Sequence, residues 1–177
     1  MQRVRGAVLL VQTEATVTAS HLTPFAVLIV DDNPIDQELA AIYIKTAWPF
    51  EHQVQIDFAA DGREALARIR TKLYALVVLD WKLPMAGEGQ VLRQLRQDGI
   101  QVPVVVLSGH AREDIAADLP ALRAAYLNKN QMGPATFHQA IANALRLLGY
   151  AVLPEQFSIP KVPVPAAAPL SRVTVWR

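Results

Sequence analysis

The chain has 177 residues, a formal net charge of +1, 52% hydrophobic and 19% charged residues, and no cysteine. That length holds about one domain, and the balance suits a globule with a buried core, not a disordered chain or a binder of polyanions such as nucleic acid. Disulfides, thiolate metal sites and thiol nucleophiles are excluded; no apolar run is long enough to cross a bilayer, and a cytoplasmic setting is the expectation.

Residues 1–24 read as an arm: Arg3 and Arg5 precede an apolar run, but Gln12, Thr13 and Glu14 break it too soon for a secretory signal, and Pro24 closes the stretch. Ala-Val-Leu-Ile-Val at 26–30 is short, wholly apolar and rich in β-branched residues, the pattern of a strand buried on both faces of a parallel sheet. Asp31-Asp32-Asn33-Pro34 ends it and opens a helix, with Pro34 suited to the first helical position. Ile35, Leu39, Ile42 and Tyr43 are expected on that helix's buried face. Residues 54–59 read as a second strand. Asp61-Gly62-Arg63-Glu64 reads as a reciprocally capped helix start, followed by Ala65, Leu66, Ile69 and Leu73 on one inward face.

Residues 75–79 form a third strand that ends at Asp80. Val91, Leu92 and Leu95 mark a third helix, closed by Gly99. A fourth strand covers 102–107, Pro120 should cut the following helix short, and a fifth strand covers 125–128. The last helix opens at Pro134, carries Phe137, Ile141, Ala144, Leu145 and Leu148 inward, and stops at Gly149. Five strands alternating with helices predict an α/β domain over 25–149, a parallel sheet with helices on both faces. Residues 150–177, with five prolines from Pro154 to Pro169, read as a tail with no output domain.

Polar residues interrupt the apolar strands at telling places. The first strand ends in Asp31 and Asp32, the third in Asp80 and the fourth in Ser108, and Lys129 follows the fifth. In an open parallel sheet all carboxyl ends lie at one edge, where such folds hold their ligands. Crowded carboxylates repel one another, and a divalent cation relieves this. All-oxygen ligands suit Mg²⁺, with Asp32 and Asp80 as expected ligands, Asp31 acting partly through water, and the Lys82 backbone carbonyl completing the set. A free oxygen of Asp80 can then act as nucleophile toward phosphorus, with Lys129 and the Ser108 hydroxyl neutralising phosphoryl oxygens and Gly109 leaving them room.

Val-Asp-Asp-Asn at 30–33, Leu-Asp-Trp-Lys-Leu-Pro at 79–84, Val-Leu-Ser-Gly at 106–109 and Tyr-Leu-Asn-Lys at 126–129 together resemble the response-regulator receiver pattern over residues 26–149. The resemblance implies a flavodoxin-like (βα)5 fold with strand order 2-1-3-4-5. It implies that Asp80 takes a phosphoryl group from a histidine kinase with Mg²⁺ as cofactor, and that the acyl phosphate hydrolyses slowly. Ser108 and Tyr126 match the family's switch pair, although plain core packing explains Tyr126 equally well. Three features depart from the family: Asn130 replaces the proline that usually follows the lysine, so the usual cis peptide is not expected. Glu88 replaces the usual loop glycine, and Pro120 alters the fourth-helix region.

Within the family the chain most resembles the small regulators that partner bacterial phytochromes, which makes a bacteriophytochrome the expected kinase. Analogy with receiver domains implies a homodimer through the last helix and strand; with no residues left for a DNA-binding output, a downstream protein partner is expected, and neither nucleic acid nor a membrane. Trp81 is expected to be a partly exposed cover for the site, and His110 the only histidine near enough to modulate it. His21, His52 and His138 are expected on the surface, and Arg93 and Arg96 on a solvated helix face. Two rival readings stand beside this one. An aspartate-nucleophile phosphatase of the haloacid-dehalogenase type would need an acid where Lys82 stands. A pseudo-receiver that only binds partners would not need the whole polar set.

Overall fold

The computed structural model describes residues 25–48, 53–84, 86–109, 115 and 119–150. Among them five strands, β1 (Phe25–Val30), β2 (Val54–Ala59), β3 (Leu76–Asp80), β4 (Val104–Ser108) and β5 (Ala125–Asn128), form one parallel sheet in the order 2-1-3-4-5. Helices α1 (Pro34–Ala47) and α5 (Pro134–Leu147) cover one face. Helices α2 (Gly62–Thr71), α3 (Gln90–Gln97) and the short α4 (Leu119–Leu122) cover the other. The parallel sheet with helices on both faces is what the alternating pattern predicts, and the strand order is the flavodoxin-like one that the family resemblance implies. β3 and β4 begin one and two residues later than the apolar runs suggest.

Period-two alternation sends Val27, Ile29, Val78, Val105 and Leu107 toward α1 and α5, and Leu28, Val30, Val77, Leu79, Val104 and Val106 toward α2, α3 and α4. Both faces of these strands are buried, which is why β1, β3 and β4 read as unbroken apolar runs. The register aligns the strand ends: Val30 pairs with Ala59 and Leu79, Asp80 with Leu107, and Ser108 with Asn128.

The caps follow the local sequence. Asn33 Oδ1 accepts from Ile35 N at 3.0 Å, with Pro34 opening α1. Asp61 Oδ1 accepts from Glu64 N at 2.8 Å, and the Glu64 carboxylate returns to Ala60 N at 3.1 Å, one residue before the cap itself. Gly99 and Gly149 end α3 and α5 with φ of +74° and +83°, conformations that favour glycine. Pro120 is the second residue of α4.

Five expectations are corrected. The buried face of α1 is Ala40, Ala41, Ile44 and Ala47, whereas Ile35 and Ile42 are 73% and 59% exposed. Small alanines bring the helix close to the sheet, which leaves the neighbouring isoleucine stripe outside; Tyr43 alone of the expected set also reaches the core, against Phe137. Leu73 is 95% exposed because α2 ends at Thr71, before the inward face returns.

His138 is buried on α5, and burial lowers its pKa. Arg96 is not solvated: its guanidinium donates to the carbonyls of Leu122, Ile100, Val102 and Arg123 at 2.8, 2.8, 3.1 and 3.3 Å. It ties the end of α3 to the turn after α4. Trp81 is only 3% exposed and belongs to the core, with the Arg93 guanidinium 5.8 Å from its ring. The large apolar surface of the indole favours burial beneath the following loop and offsets the cost of its Nε1–H, which is buried without a hydrogen-bond partner among the described residues. The expected arm, the tail beyond Tyr150, His21, His52 and His110 lie outside the described residues.

Candidate functional site

The carboxyl ends of β1 and β3 and the turn after β5 bring Asp31, Asp80 and Lys129 together on the rim beside α1. Lys129 Nζ donates to Asp31 Oδ2 at 2.7 Å and to Asp80 Oδ2 at 2.9 Å, contacts that span 98 and 49 residues of chain. Local geometry fixes each partner. Asp31 Oδ1 accepts from Asn33 N at 2.9 Å, and Asp80 Oδ1 accepts from Lys82 N at 3.0 Å. Asn128 Oδ1 accepts from Asn130 N at 2.8 Å, which starts the single 3-10 turn that aims Lys129 at the site. Among the described residues no peptide bond is cis.

Asp31 and Asp80 are 1% and 9% exposed. Burial pushes the Asp31 carboxyl up, against the lowering effect of the Lys129 hydrogen bond and the Asn33 amide. Burial also opposes the charge on Lys129, but the hydrogen bonds it donates to Asp31 and Asp80 outweigh it and hold the ammonium above the ordinary lysine value. Lys129 is therefore a fixed cation throughout the physiological range.

Asp31, Asp32 and Asp80 each offer one oxygen, and the three atoms lie within 4.8 Å of one another. Asp32 is the exposed member, at the open side of the rim. Hard oxygen donors at this spacing fit a divalent cation such as Mg²⁺. Lys82, two residues after Asp80, is exposed, and its backbone N–H is the one that donates to Asp80 Oδ1.

Ser108 is buried at the end of β4, in alternation with Val104 and Val106. Tyr126 is half-buried and packs on that same layer. It also lines a cavity of about 350 Å³ with Leu119, Pro120 and Arg146. Serine and tyrosine thus share the α2–α4 side of the sheet, while the lysine and aspartates share the α1 side. Gly109 is exposed, and a Cβ there would meet no atom of the described residues within 4 Å.

Two residues at the rim gave no signal in the sequence. Asp36, in the first turn of α1, places Oδ2 3.1 Å from Lys129 Nζ. Gln37 Nε2 donates to the carbonyls of Asp31 and Ala59 at 2.7 and 3.1 Å, pinning α1 to the ends of β1 and β2. An acid and an amide in a helix's first turn are commonplace, and only the tertiary fold singles them out.

A family model described as the response regulator receiver domain matches residues 27–142. Among curated proteins, the gliding motility regulatory protein of Myxococcus xanthus is 32% identical over 118 residues, covering 65% of this chain and 14% of its own length. The probable transcriptional regulatory protein TcrX of Mycobacterium tuberculosis is 34% identical over 108 residues, covering 60% of this chain and 44% of its own. The chain thus spans less than half of the length of these relatives. Among solved structures, the bacteriophytochrome response regulator AtBRR is 26% identical with a TM-score of 0.56, covering 75% of this chain and 99% of that one. Among the described residues no helix is long and apolar enough to cross a membrane.

Proposed function

The chain belongs to the response regulator receiver family, the phosphoacceptor modules of two-component signalling, and from that premise we propose that Asp80 accepts a phosphoryl group from the phosphohistidine of a histidine kinase. The observation that carries this reading is the hydrogen-bonded triad of Lys129 with Asp31 and Asp80, drawn from three distant parts of the chain.

A carboxylate oxygen of Asp80 forms the bond to phosphorus as the P–N bond to the donor imidazole breaks and its electron pair returns to the ring. Such a transfer depends on alignment and on neutralising the phosphoryl oxygens, not on covalent assistance elsewhere. Asp31, Asp32, Asp80 and the Lys82 carbonyl would hold Mg²⁺, which supplies positive charge to the carboxylates and to the incoming phosphoryl group. Lys129 serves a second phosphoryl oxygen, the Ser108 hydroxyl donates to a third, and Gly109 leaves the approach open. Ser108 and Tyr126 form the switch: the hydroxyl moves to the phosphoryl group and the ring moves into the space it leaves. Their common side of the sheet supports that coupling. Trp81 acts from beneath the acceptor as packing, and His110, just past the end of β4 in sequence, modulates the phosphoryl chemistry.

For the donor we propose a bacteriophytochrome kinase in the cytoplasm; Asp-Asn-Pro at 32–34, Leu-Pro at 83–84, Leu-Ser-Gly at 107–109, Lys129 without a following proline and the likeness to AtBRR support this. We further propose residues 1–24 as an arm, 25–149 as the receiver and 150–177 as a tail. Output runs to a downstream protein through a homodimer at the α5 end, where Leu147 and Tyr150 are 43% and 52% exposed.

The experiment is phosphorylation of the full chain by a small phosphodonor with Mg²⁺. One phosphoryl mass is gained, and Asp80→Asn or chelation abolishes the gain; a gain that persists in Asp80→Asn overturns the assignment. Transfer from purified bacteriophytochrome, compared with other kinases of the same genome, tests the donor.

A further inference from the structure

Lys129 holds a carboxylate that the metal cluster does not contain. Its ammonium has three N–H groups, and the structure gives it three acceptors: Asp31, Asp36 and Asp80. Asp31 and Asp80 belong to the oxygen cluster, and Asp36 does not. We propose that Asp36 is a positioning residue that holds Lys129 as an alternative counter-ion, strengthening the site for a divalent cation and weakening it for the phosphoryl group. The inference rests on the receiver reading and goes beyond its usual residue set.

The geometry sets which bond gives way. The Asp36 contact is the longest of the three, at 3.1 Å against 2.7 and 2.9 Å. Its carboxylate is also the most exposed, at 28% against 1% for Asp31 and 10% for Asp80. An incoming phosphoryl oxygen needs an N–H from Lys129, and the bond to the most solvated acceptor is the least costly to surrender. The chain then leaves a negative Asp36 facing a negative phosphoryl group across one ammonium.

Before that, the same charge adds to the field that draws a cation to the rim. The backbone that carries Asp36 is held on both sides. Asn33 and Pro34 set the start of α1, and the next residue, Gln37, is bound to the carbonyls of Asp31 and Ala59. The plain alternative is a first-turn acid that merely suits the helix dipole. Its removal would loosen α1 and weaken both ligands together.

Calorimetric titration of the full chain separates the two. Mg²⁺ is titrated first, then beryllofluoride at saturating Mg²⁺, for the unsubstituted chain, Asp36→Asn and the charge-keeping Asp36→Glu. Asp36→Asn is expected to bind Mg²⁺ more weakly and beryllofluoride more tightly, each by about threefold or more. Asp36→Glu should stay near the unsubstituted chain. Shifts of the same sign, or none, overturn the inference while leaving the receiver reading intact. An unsubstituted chain that binds neither ligand overturns both. Asp36→Ser gives the same comparison if the asparagine variant fails to fold.

Discussion

Gly89 stands directly on the indole of Trp81: a Cβ at residue 89 would lie 2.3 Å from Cη2 and 2.6 Å from Cζ3 of that ring. Gly89 also caps α3 at a φ of +66°, and its N–H donates to the Trp81 carbonyl at 3.1 Å. The loop after the acceptor therefore closes over the tryptophan only because this residue lacks a side chain. Gly89 stands one position past Glu88, which occupies the place of the family's usual loop glycine. Arg93 completes the lid, placing its guanidinium over the ring and donating to the Glu88 carbonyl.

Gly89→Ala combines left-handed backbone with a clash against a rigid ring, and should cost about 2–4 kcal/mol. Gly87→Ala is the control: the nearest atom to its Cβ is the movable Gln90 Oε1 at 3.5 Å, and its loss should stay below about 1 kcal/mol. Urea unfolding of both variants measures the difference.

Arg96 should behave as a structural clamp. Its guanidinium serves four carbonyls around the α3–β4 loop and the end of α4, including that of Arg123, a non-glycine residue at a φ of +48°. Arg96→Ala leaves those acceptors short of donors and should lose about 2–3 kcal/mol. Arg96→Lys should recover little, because a single ammonium cannot span the same fork. Denaturant midpoints test this, with phosphoryl uptake of the folded fraction unchanged.

These two contacts show where sequence reading reaches its limit. Asp31, Asp80 and Ser108 stood out because β1, β3 and β4 are so apolar that any polar residue at their ends is conspicuous. Parallel topology then carried all three, with Lys129, to one rim. The inward stripe of α1 was harder to read. Hydrophobicity favours Ile35 and Ile42, but the spacing between helix and sheet selects Ala40 and Ala41. Arg96 and Asp36 look like ordinary surface charges until the fold supplies the carbonyls and the ammonium they meet. Trp81 misled for a related reason: its place beside the acceptor suggested a cover, while the glycine that lets it turn inward sits eight residues later.

Asp57 should give the acid limb of stability a readable component. Its Oδ2 accepts from Lys72 Nζ at 2.7 Å and from Tyr74 Oη at 2.8 Å. The Lys72 hydrogen bond is the main cause of a carboxyl pKa below the ordinary 3.8, with burial working against it. Burial and the bond to Asp57 push Tyr74 up to about 12, so the phenol remains a donor at neutral pH. A depressed folded-state pKa means that the unfolded chain binds the proton more readily. The stabilisation is present above the unfolded value of 3.8 and disappears as pH falls through the lower folded value. The stability gap between the unsubstituted chain and Asp57→Asn should be constant from pH 5 to 7 and shrink in this acid window. A gap that does not change there would show that the ion pair is not its source.

Lys129 and a bound divalent cation relieve the same repulsion, so removing one should increase the demand for the other. Lys129→Met leaves Asp31, Asp36 and Asp80 without the ammonium that all three share. Without Mg²⁺ the variant should unfold more easily than the unsubstituted chain. Its gain on adding Mg²⁺ should be larger, following the logarithm of ligand concentration over Kd and reaching about 2.7 kcal/mol at a hundredfold excess over Kd. Phosphoryl uptake should nonetheless fall sharply, because no cation replaces Lys129 beside the transferred group. Thermal melts across a Mg²⁺ series, paired with phosphorylation of the same samples, separate the two effects. If Lys129→Met lowers Mg²⁺ affinity instead, the ammonium organises the three carboxylates rather than competing with the metal for their charge.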